Sequence, residues 1–250
     1  MKRFKNQNIP RYFLIGIITL SIIMHFIYIE QLKQTPYISH PLVDADIYHK
    51  KALNILASGW LGEKIFFQAP LYPYFLAFIY KLFGINIENI AWIQAAFSVL
   101  SIYLIYLIGQ RLFGTSTGLL SAGLALFYGV FIFYSGFLLK ASLSILFTSF
   151  FLLLLLRAND SQTFFSHLLS GLFLGICITL RGNFLLVFIG LLPWIYFASK
   201  NQKSRIHNIF GFILGVIIII FPITSRNYYV ENDFVLVNYD AGLSFFIGNN

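Results

Sequence analysis

Charge is what this sequence has least of. Only 10% of its 250 residues are Asp, Glu, Lys or Arg, against roughly 25% in soluble domains, while 58% are hydrophobic. That balance excludes a water-soluble globule. Cysteine is nearly absent too: Cys177 stands alone inside an apolar run, so no internal disulfide forms and pairing says nothing of the redox compartment. There is no P-loop, no GxGxxG ahead of a helix, no serine-nucleophile motif and no zinc signature. Soluble nucleotide-dependent chemistry therefore has no support. Alternating ten-residue segments, the mark of a transmembrane β-barrel, are lacking as well, and long unbroken apolar runs take their place.

Ionisable residues are also scarce inside those runs. His25 falls near one end of the first and His167 near the start of the fifth, and mid-depth is otherwise clean. Proton pathways and pumps place such groups at mid-depth, and no internal repeat is visible, so a secondary transporter is disfavoured. The net charge of +8 would suggest nucleic acid in a soluble protein. Beside membrane spans it has a topological meaning, and no nucleic-acid partner is expected.

What is present is seven apolar runs, at 12–29, 90–109, 118–137, 138–156, 164–180, 182–199 and 208–225. Each is long enough to span a hydrocarbon core of about 30 Å, which requires roughly 17–25 helical residues. The fold expected is all-α, a polytopic helical membrane protein of about seven spans. The third and fourth runs are split near 134–140 and the fifth and sixth at Arg181-Gly182-Asn183, so each pair reads as a tight hairpin with a cation at its turn. The basic stretch 1–11 precedes an 18-residue run longer than a usual signal-peptide core, with no small-x-small site after Tyr28-Ile29-Glu30. An uncleaved first span is expected.

Cation placement orients the chain. With the N-terminus inside, Lys2, Arg3, Lys5, Arg11, Arg111, Arg157, Lys200, Lys203 and Arg205 fall inside. Apart from the long first loop, the outer side holds only Lys140, Arg181 and Arg226. Eight of the nine acids fall outside, and Asp160 alone falls inside. Polar chemistry is thus expected at the outer face, in the 30–89 loop and the tail beyond 225. Within that loop a short helix is expected over 45–57, with Asp44 as its N-cap and Gly59 as its stop. The stretch 71–80, entered through Pro70 and Pro73, is too short to span and fits a helix lying in the interface.

Lys140, Arg181 and Arg226 each end a span at that face. They are candidates for gripping a phosphate or pyrophosphate on a lipid, with snorkelling to ordinary headgroups as the plainer account. Asp44 and Asp46 lie in VDADIYHKKA (43–52). A carboxylate near a lipid phosphate serves either as a general base toward an acceptor hydroxyl or as a ligand for a divalent metal. The plainer accounts are a helix cap for Asp44 and a solvated first-turn acid for Asp46. His49 has no second His or Cys at metal spacing, so no metal-ligand set is assigned and a divalent metal stays open as a cofactor. Trp60, Trp92 and Trp194 are read as interfacial anchors or packing residues.

The ordered segments VDADIYHKKALNILASGW (43–60), FFQAPLYPYFLAFIYKLFG (66–84), WIQAAFSVLSIYLIYLIGQRLFG (92–114), FYSGFLLKASLSILF (133–147), LRGNFLL (180–186) and FPITSRNYYVENDFVLVNYDAGLSFFIGNN (221–250) resemble the GT-C fold membrane glycosyltransferases that use polyprenyl phosphates. The likeness is to the bacterial branch related to protein O-mannosyltransferases and the aminoarabinose transferase of lipid A. It covers almost the whole chain and implies a single GT-C-like membrane domain over 1–250, incomplete at its C-terminus, with 30–89 as the outer catalytic loop. It implies transfer of a sugar from a polyprenyl-phosphate donor to a hydroxyl on a glycan, lipid or protein, at the outer face of a bacterial cytoplasmic membrane. Asp44 corresponds to the family's first-loop aspartate, acting on the acceptor. Arg181, Arg226 and Lys140 become the candidates for the donor phosphate, with Gln68 and Tyr72 of the juxtamembrane motif and Asp46 as further substrate-binding positions. Where some branches carry charge before the proline of that motif, this chain has Gln68-Ala69-Pro70; either Asp46 substitutes or there is no carboxylate dyad. The main alternative is a non-catalytic protein that binds or flips lipid phosphates with the same cations.

Overall fold

A computed structural model describes residues 9–38, 40–62 and 64–239, and these residues form ten helices and no strand. The basic opening residues Lys2, Arg3 and Lys5, together with Glu63, Asp240 and the motif's end at 241–250, lie outside the described residues. The helices are α1 (Ile9–Leu32), α2 (Asp44–Ser58), α3 (Leu71–Phe83), α4 (Ile87–Phe113), α5 (Thr115–Phe127), α6 (Gly129–Ser135), α7 (Ala141–Ser161), α8 (Phe164–Leu180), α9 (Phe184–Ala198) and α10 (Gln202–Glu231). Six of the seven expected apolar runs each fall on one helix, and the run 118–137 falls on two, α5 and α6. Helices α1, α4, α7 and α10 are long and apolar enough to cross a membrane, and α5 with α6 makes a fifth candidate. The chain is a polytopic helical membrane protein. At 17 and 15 residues, α8 and α9 are about 26 and 23 Å long, under the ~30 Å core.

The chain resolves into two compact units, one of residues 1–46 and 85–149 and one of 47–84 and 150–250. In the first, α4 and α5 form a hairpin whose helices touch at glycine. A Cβ on Gly118 would stand 2.7 Å from the Tyr106 carbonyl oxygen, and one on Gly109 would stand 3.0 Å from Gly118 Cα. The run expected as one span over 118–137 is in fact bent by 52°. Tyr128 is extended there, at φ −78° and ψ 95°, and Gly129 follows, the residue with the weakest claim on a helix after proline. Buried Gln94 of α4 braces the end of this bend, donating through Nε2 to the carbonyls of Ser135 at 3.0 Å and Phe137 at 2.7 Å. The Tyr28 hydroxyl of α1 donates to the Phe133 carbonyl at 3.0 Å. Lys33, just past α1, reaches Glu30 at 2.7 Å and Glu88 at 3.6 Å.

In the second unit, α2 lies on α3 through an edge-to-face contact of Tyr48 and Tyr72, 5.0 Å between ring centres, and through His49 Nδ1 and the Tyr80 hydroxyl at 2.9 Å. The dominant contact is between α8 and α10. Four glycines make it, Gly171 and Gly175 on α8 and Gly211 and Gly215 on α10, each pair spaced i, i+4. A Cβ on Gly171 would be 2.1 Å from the Phe212 carbonyl oxygen, and one on Gly215 would be 2.2 Å from that of Leu168. Backbone meets backbone, as small-residue helix pairs do in lipid. Gly211 faces Phe164, Gly215 faces Leu168 and Gly175 faces Ile219, so the residue numbers rise together and the two helices run parallel. At the start of α10, buried Asn208 ties the neighbouring turns, donating at 3.0 Å to both Gln162 Oε1 and Ser199 Oγ.

This packing predicts a position-specific response to one methyl group. Gly171→Ala and Gly215→Ala should each destabilise the protein by about 1–3 kcal/mol, the range for overpacking a tight contact. Gly190→Ala on α9, where a Cβ meets nothing within 4 Å, should be neutral or better. Thermal midpoints in detergent check it: equal midpoints for the three variants would refute the close approach.

Candidate functional site

The parallel run of α8 and α10 brings Arg181, just past the end of α8, level with Arg226 in the last turns of α10. Arg181 is six residues past Gly175, and Arg226 is seven past Ile219, the residue Gly175 faces. Arg181 caps α8, exposed and extended at φ −147° and ψ 107°, with its N–H on the Cys177 carbonyl at 2.8 Å. Arg226 sits in the last turns of α10 and is half-buried. Beyond the helix Asn232 adopts the left-handed conformation (φ 55°), and the chain turns back along α10. Three side-chain hydrogen bonds hold the returning segment: Thr224 donates to the Leu236 carbonyl at 2.8 Å, and Asn227 donates to those of Val235 at 3.0 Å and Val237 at 3.2 Å.

The returning segment then fastens the loop between α2 and α3. Tyr239 N–H donates to the Phe66 carbonyl at 3.0 Å, and Asn238 Nδ2 to that of Phe67 at 3.2 Å. Arg226 grips the same loop from the other side. Its Nε–H donates to the Leu61 carbonyl at 2.6 Å, and its guanidinium carbon lies 4.0 Å from the centre of the Phe66 ring. The Tyr74 hydroxyl donates to the Trp60 carbonyl. Burial pushes that phenol up from its ordinary value, with Arg226 pulling weakly the other way, so it is a neutral donor at physiological pH.

These fastenings enclose a cavity of about 630 Å³. One wall is a face of α2, where Lys51, Asn54, Ile55 and Ser58 follow one another at helical spacing. Lys64, Gln68, Tyr74 and Arg226 supply the rest of its polar lining, over Phe66 and Phe67. Lys51 Nζ donates to Gln68 Oε1 at 3.0 Å. Three cations and no carboxylate line it among the described residues. Such a hollow is suited to an anion with an apolar part, because the cations attract charge and the guanidinium can offer a planar, two-pronged donor edge.

Of the positions expected from sequence, Gln68 and Arg226 come together here. Arg181 lies at the same end of the α8–α10 pair but does not line the cavity. Its neighbour Gly182 faces Asn238 Oδ1, 3.4 Å from where a Cβ would be. Tyr72 is fully buried between α2 and α3. Asp44, Asp46 and Lys140 belong to the other unit. Lys140 precedes α7, and its carbonyl accepts from Ser144. Helix α2 starts at Asp44 itself, so the carboxylate is the first helical residue and not the residue before it. The capping place falls to Val43, at φ 51° and largely exposed, an unusual conformation for a β-branched residue. Asp44 is exposed, and both it and Asp46 lie in the first turn, where a carboxylate complements the helix dipole. Among the described residues no group of three or more His, Cys, Asp or Glu could hold a metal ion.

Lys51, Lys64 and Asn227 were not singled out in the sequence. Lys51 had a signal, since its face of α2 repeats polar residues at 51, 54 and 58; Lys64 and Asn227 had none, because only the fold brings them to Arg226.

Residues 68–228 match the family of dolichyl-phosphate-mannose-protein mannosyltransferases. The chain belongs to that family, and is thereby a membrane glycosyltransferase. A search of curated proteins finds no match to the chain.

The clamp on the loop has a measurable consequence. Arg226→Ala removes the Leu61 hydrogen bond and the cover over Phe66, so amide exchange across 61–67 should rise at least several-fold while that of 171–177 in α8 stays as it was. Unchanged exchange in the loop would mean that Arg226 does not hold it.

Proposed function

We propose that the chain moves a sugar from a polyprenyl-phosphate donor to a hydroxyl on a cell-envelope glycan, lipid or protein at the outer face of a bacterial cytoplasmic membrane. The observation that carries this reading is the cavity beside Arg226, two of whose three cations, Arg226 and Lys51, are hydrogen-bonded to the fold before any ligand arrives. As the bond between sugar and phosphate breaks, charge grows on the departing phosphate. Preorganised donors stabilise that charge without reorganising, which is where most electrostatic catalysis comes from. Arg226, with Lys51 and Lys64, suits that role, and Arg181 at the same end of the helix pair is a second guanidinium for the lipid's headgroup. An apolar groove of about 700 Å³ along α10, lined by Phe188, Ile217, Ile220, Phe221 and Tyr228 among others, supports a donor with an isoprenoid tail.

Asp44 takes the acceptor side. Its carboxylate opposes phosphate binding by like-charge repulsion, so its use is to orient the incoming hydroxyl or take its proton, a contribution of about 10²–10⁴-fold. It opens the helix that carries Lys51 two turns later.

Two sets of measurements test this, the first of lipid binding and sugar transfer. In nanodiscs, Arg226→Ala and Arg181→Ala should each weaken binding of a polyprenyl monophosphate by about 1.5–3 kcal/mol, the range for charged hydrogen bonds, and Lys140→Ala by less, since an ammonium lacks the two-pronged edge. Asp44→Asn should keep that binding and cost only about a few tenths of a kcal/mol in helix stability, while transfer to acceptor collapses. Parental transfer by the Asp44→Asn enzyme would leave Asp44 structural and sink its catalytic assignment, whereas binding of the lipid without transfer by the parent protein would favour the lipid-binding alternative.

The second set concerns sidedness. In a Cys177→Ser background, single cysteines at Ser58 and Asn232 should react with an impermeant thiol reagent in intact cells. Labelling at both sites only after lysis would invert the orientation and remove the outer face as the place of reaction.

A further inference from the structure

Arg226 is held by its neighbours as well as by its own helix, and one of those neighbours is fully buried. Asn227 has no exposed surface, and its amide cannot be turned around. Its Nδ2 faces two carbonyl oxygens, those of Val235 at 3.0 Å and Val237 at 3.2 Å, which only accept. A flipped amide would set oxygen against both carbonyls and an NH₂ against a guanidinium. Oδ1 is therefore committed to the other side, where it accepts from Arg226 Nη1 at 3.1 Å.

The guanidinium then has two fixed bonds, Nε–H to Leu61 and one Nη1–H to Asn227, and Phe66 stacked on one face. Two bonds and a stacked face define its plane. Of five N–H groups two are used, so three remain, one on Nη1 and two on Nη2. Those adjacent nitrogens are the pair that grips two oxygens of a phosphate side by side. Nη2 can stand where it does because residue 62 is glycine. A Cβ there would be 2.9 Å from Nη2, and the backbone at that point has φ +63°, in the region that favours glycine.

We propose that Asn227 is a positioning residue that aims the Nη1–Nη2 edge of Arg226 at the donor's phosphate, and that Gly62 is the position whose missing side chain leaves that edge in place. The inference rests on the reading of Arg226 as a phosphate ligand. Asn227 touches no substrate; it acts through Arg226, and by the same amide ties down the 235–237 segment.

The experiment separates these two roles of the amide. Binding of a polyprenyl monophosphate and of the uncharged polyprenol of equal length is measured in nanodiscs for Asn227→Ala and Gly62→Ala, each with Arg226 present and with Arg226→Ala. Both variants should weaken phosphate binding about tenfold, leave polyprenol binding unchanged, and have no further effect once Arg226 is gone. If Asn227→Ala weakens both lipids alike, or weakens phosphate binding equally without Arg226, the amide only ties the segment and the inference falls. Should Asn227→Ala not fold, Gly62→Ala decides, and parental phosphate binding in that variant overturns the proposal. If Arg226→Ala itself binds like the parent, the phosphate reading fails and takes this inference with it. If Arg226→Ala loses binding while the other two do not, this inference alone fails.

Discussion

Helices α8 and α10 touch backbone to backbone at four glycines, and the cationic end of the second unit depends on that contact. In lipid there is no hydrophobic gain from bringing two apolar helices together, so close packing has to supply the attraction. Glycine at i and i+4 on both helices permits the approach and sets the register. With the register set, α8 and α10 are parallel, and Arg181 and Arg226 end at the same level. A one-turn slip of α10 would carry Arg226 about 5 Å along the axis, away from the Leu61 carbonyl and the Phe66 ring.

Polar side chains complete what the glycines begin. They work on main-chain groups that no helix satisfies. Asn227 serves the carbonyls of the returning segment, Asn238 and Tyr239 serve those of Phe67 and Phe66, and Arg226 serves that of Leu61. A segment of irregular chain at a membrane boundary needs such partners, since an unpaired buried carbonyl or amide costs as much as a lost hydrogen bond. The same bonds that satisfy the backbone hold the cavity's walls. Structural need and site preorganisation are met here by one set of contacts.

Much of the fold is legible in the sequence because hydropathy acts over whole segments. The seven apolar runs all fall on helices, and the two short helices of the first loop lie within a few residues of where Gly59, Pro70 and Pro73 punctuate the chain. What hydropathy does not register is local backbone choice. The break at Tyr128-Gly129 sits inside an apolar run, and the start of α2 at Asp44 turns on the left-handed Val43. The membrane and family readings likewise follow from segments in order, and the family match over 68–228 bears them out. The cavity is a different matter. Leu61 and Arg226 are 165 residues apart, and Lys51, Lys64 and Asn227 gain meaning only from that approach. No periodicity within one segment carries it.

An arginine at a membrane boundary ordinarily adapts, bending its long side chain to follow the headgroups. Arg226 has given up that freedom, since its head is tied to the Leu61 carbonyl and to Asn227 and covered by Phe66. Its charge sits at a height fixed by the protein and not by the lipid. A bilayer whose hydrocarbon layer is thicker or thinner by a few ångströms shifts its own phosphates while this cation stays where it is. The two levels match at one thickness, and moving away from it costs a fraction of a kcal/mol per ångström of mismatch. Under the phosphate role proposed for Arg226, acyl-chain length in the surrounding membrane becomes a variable of the site, set by how rigidly one side chain is held.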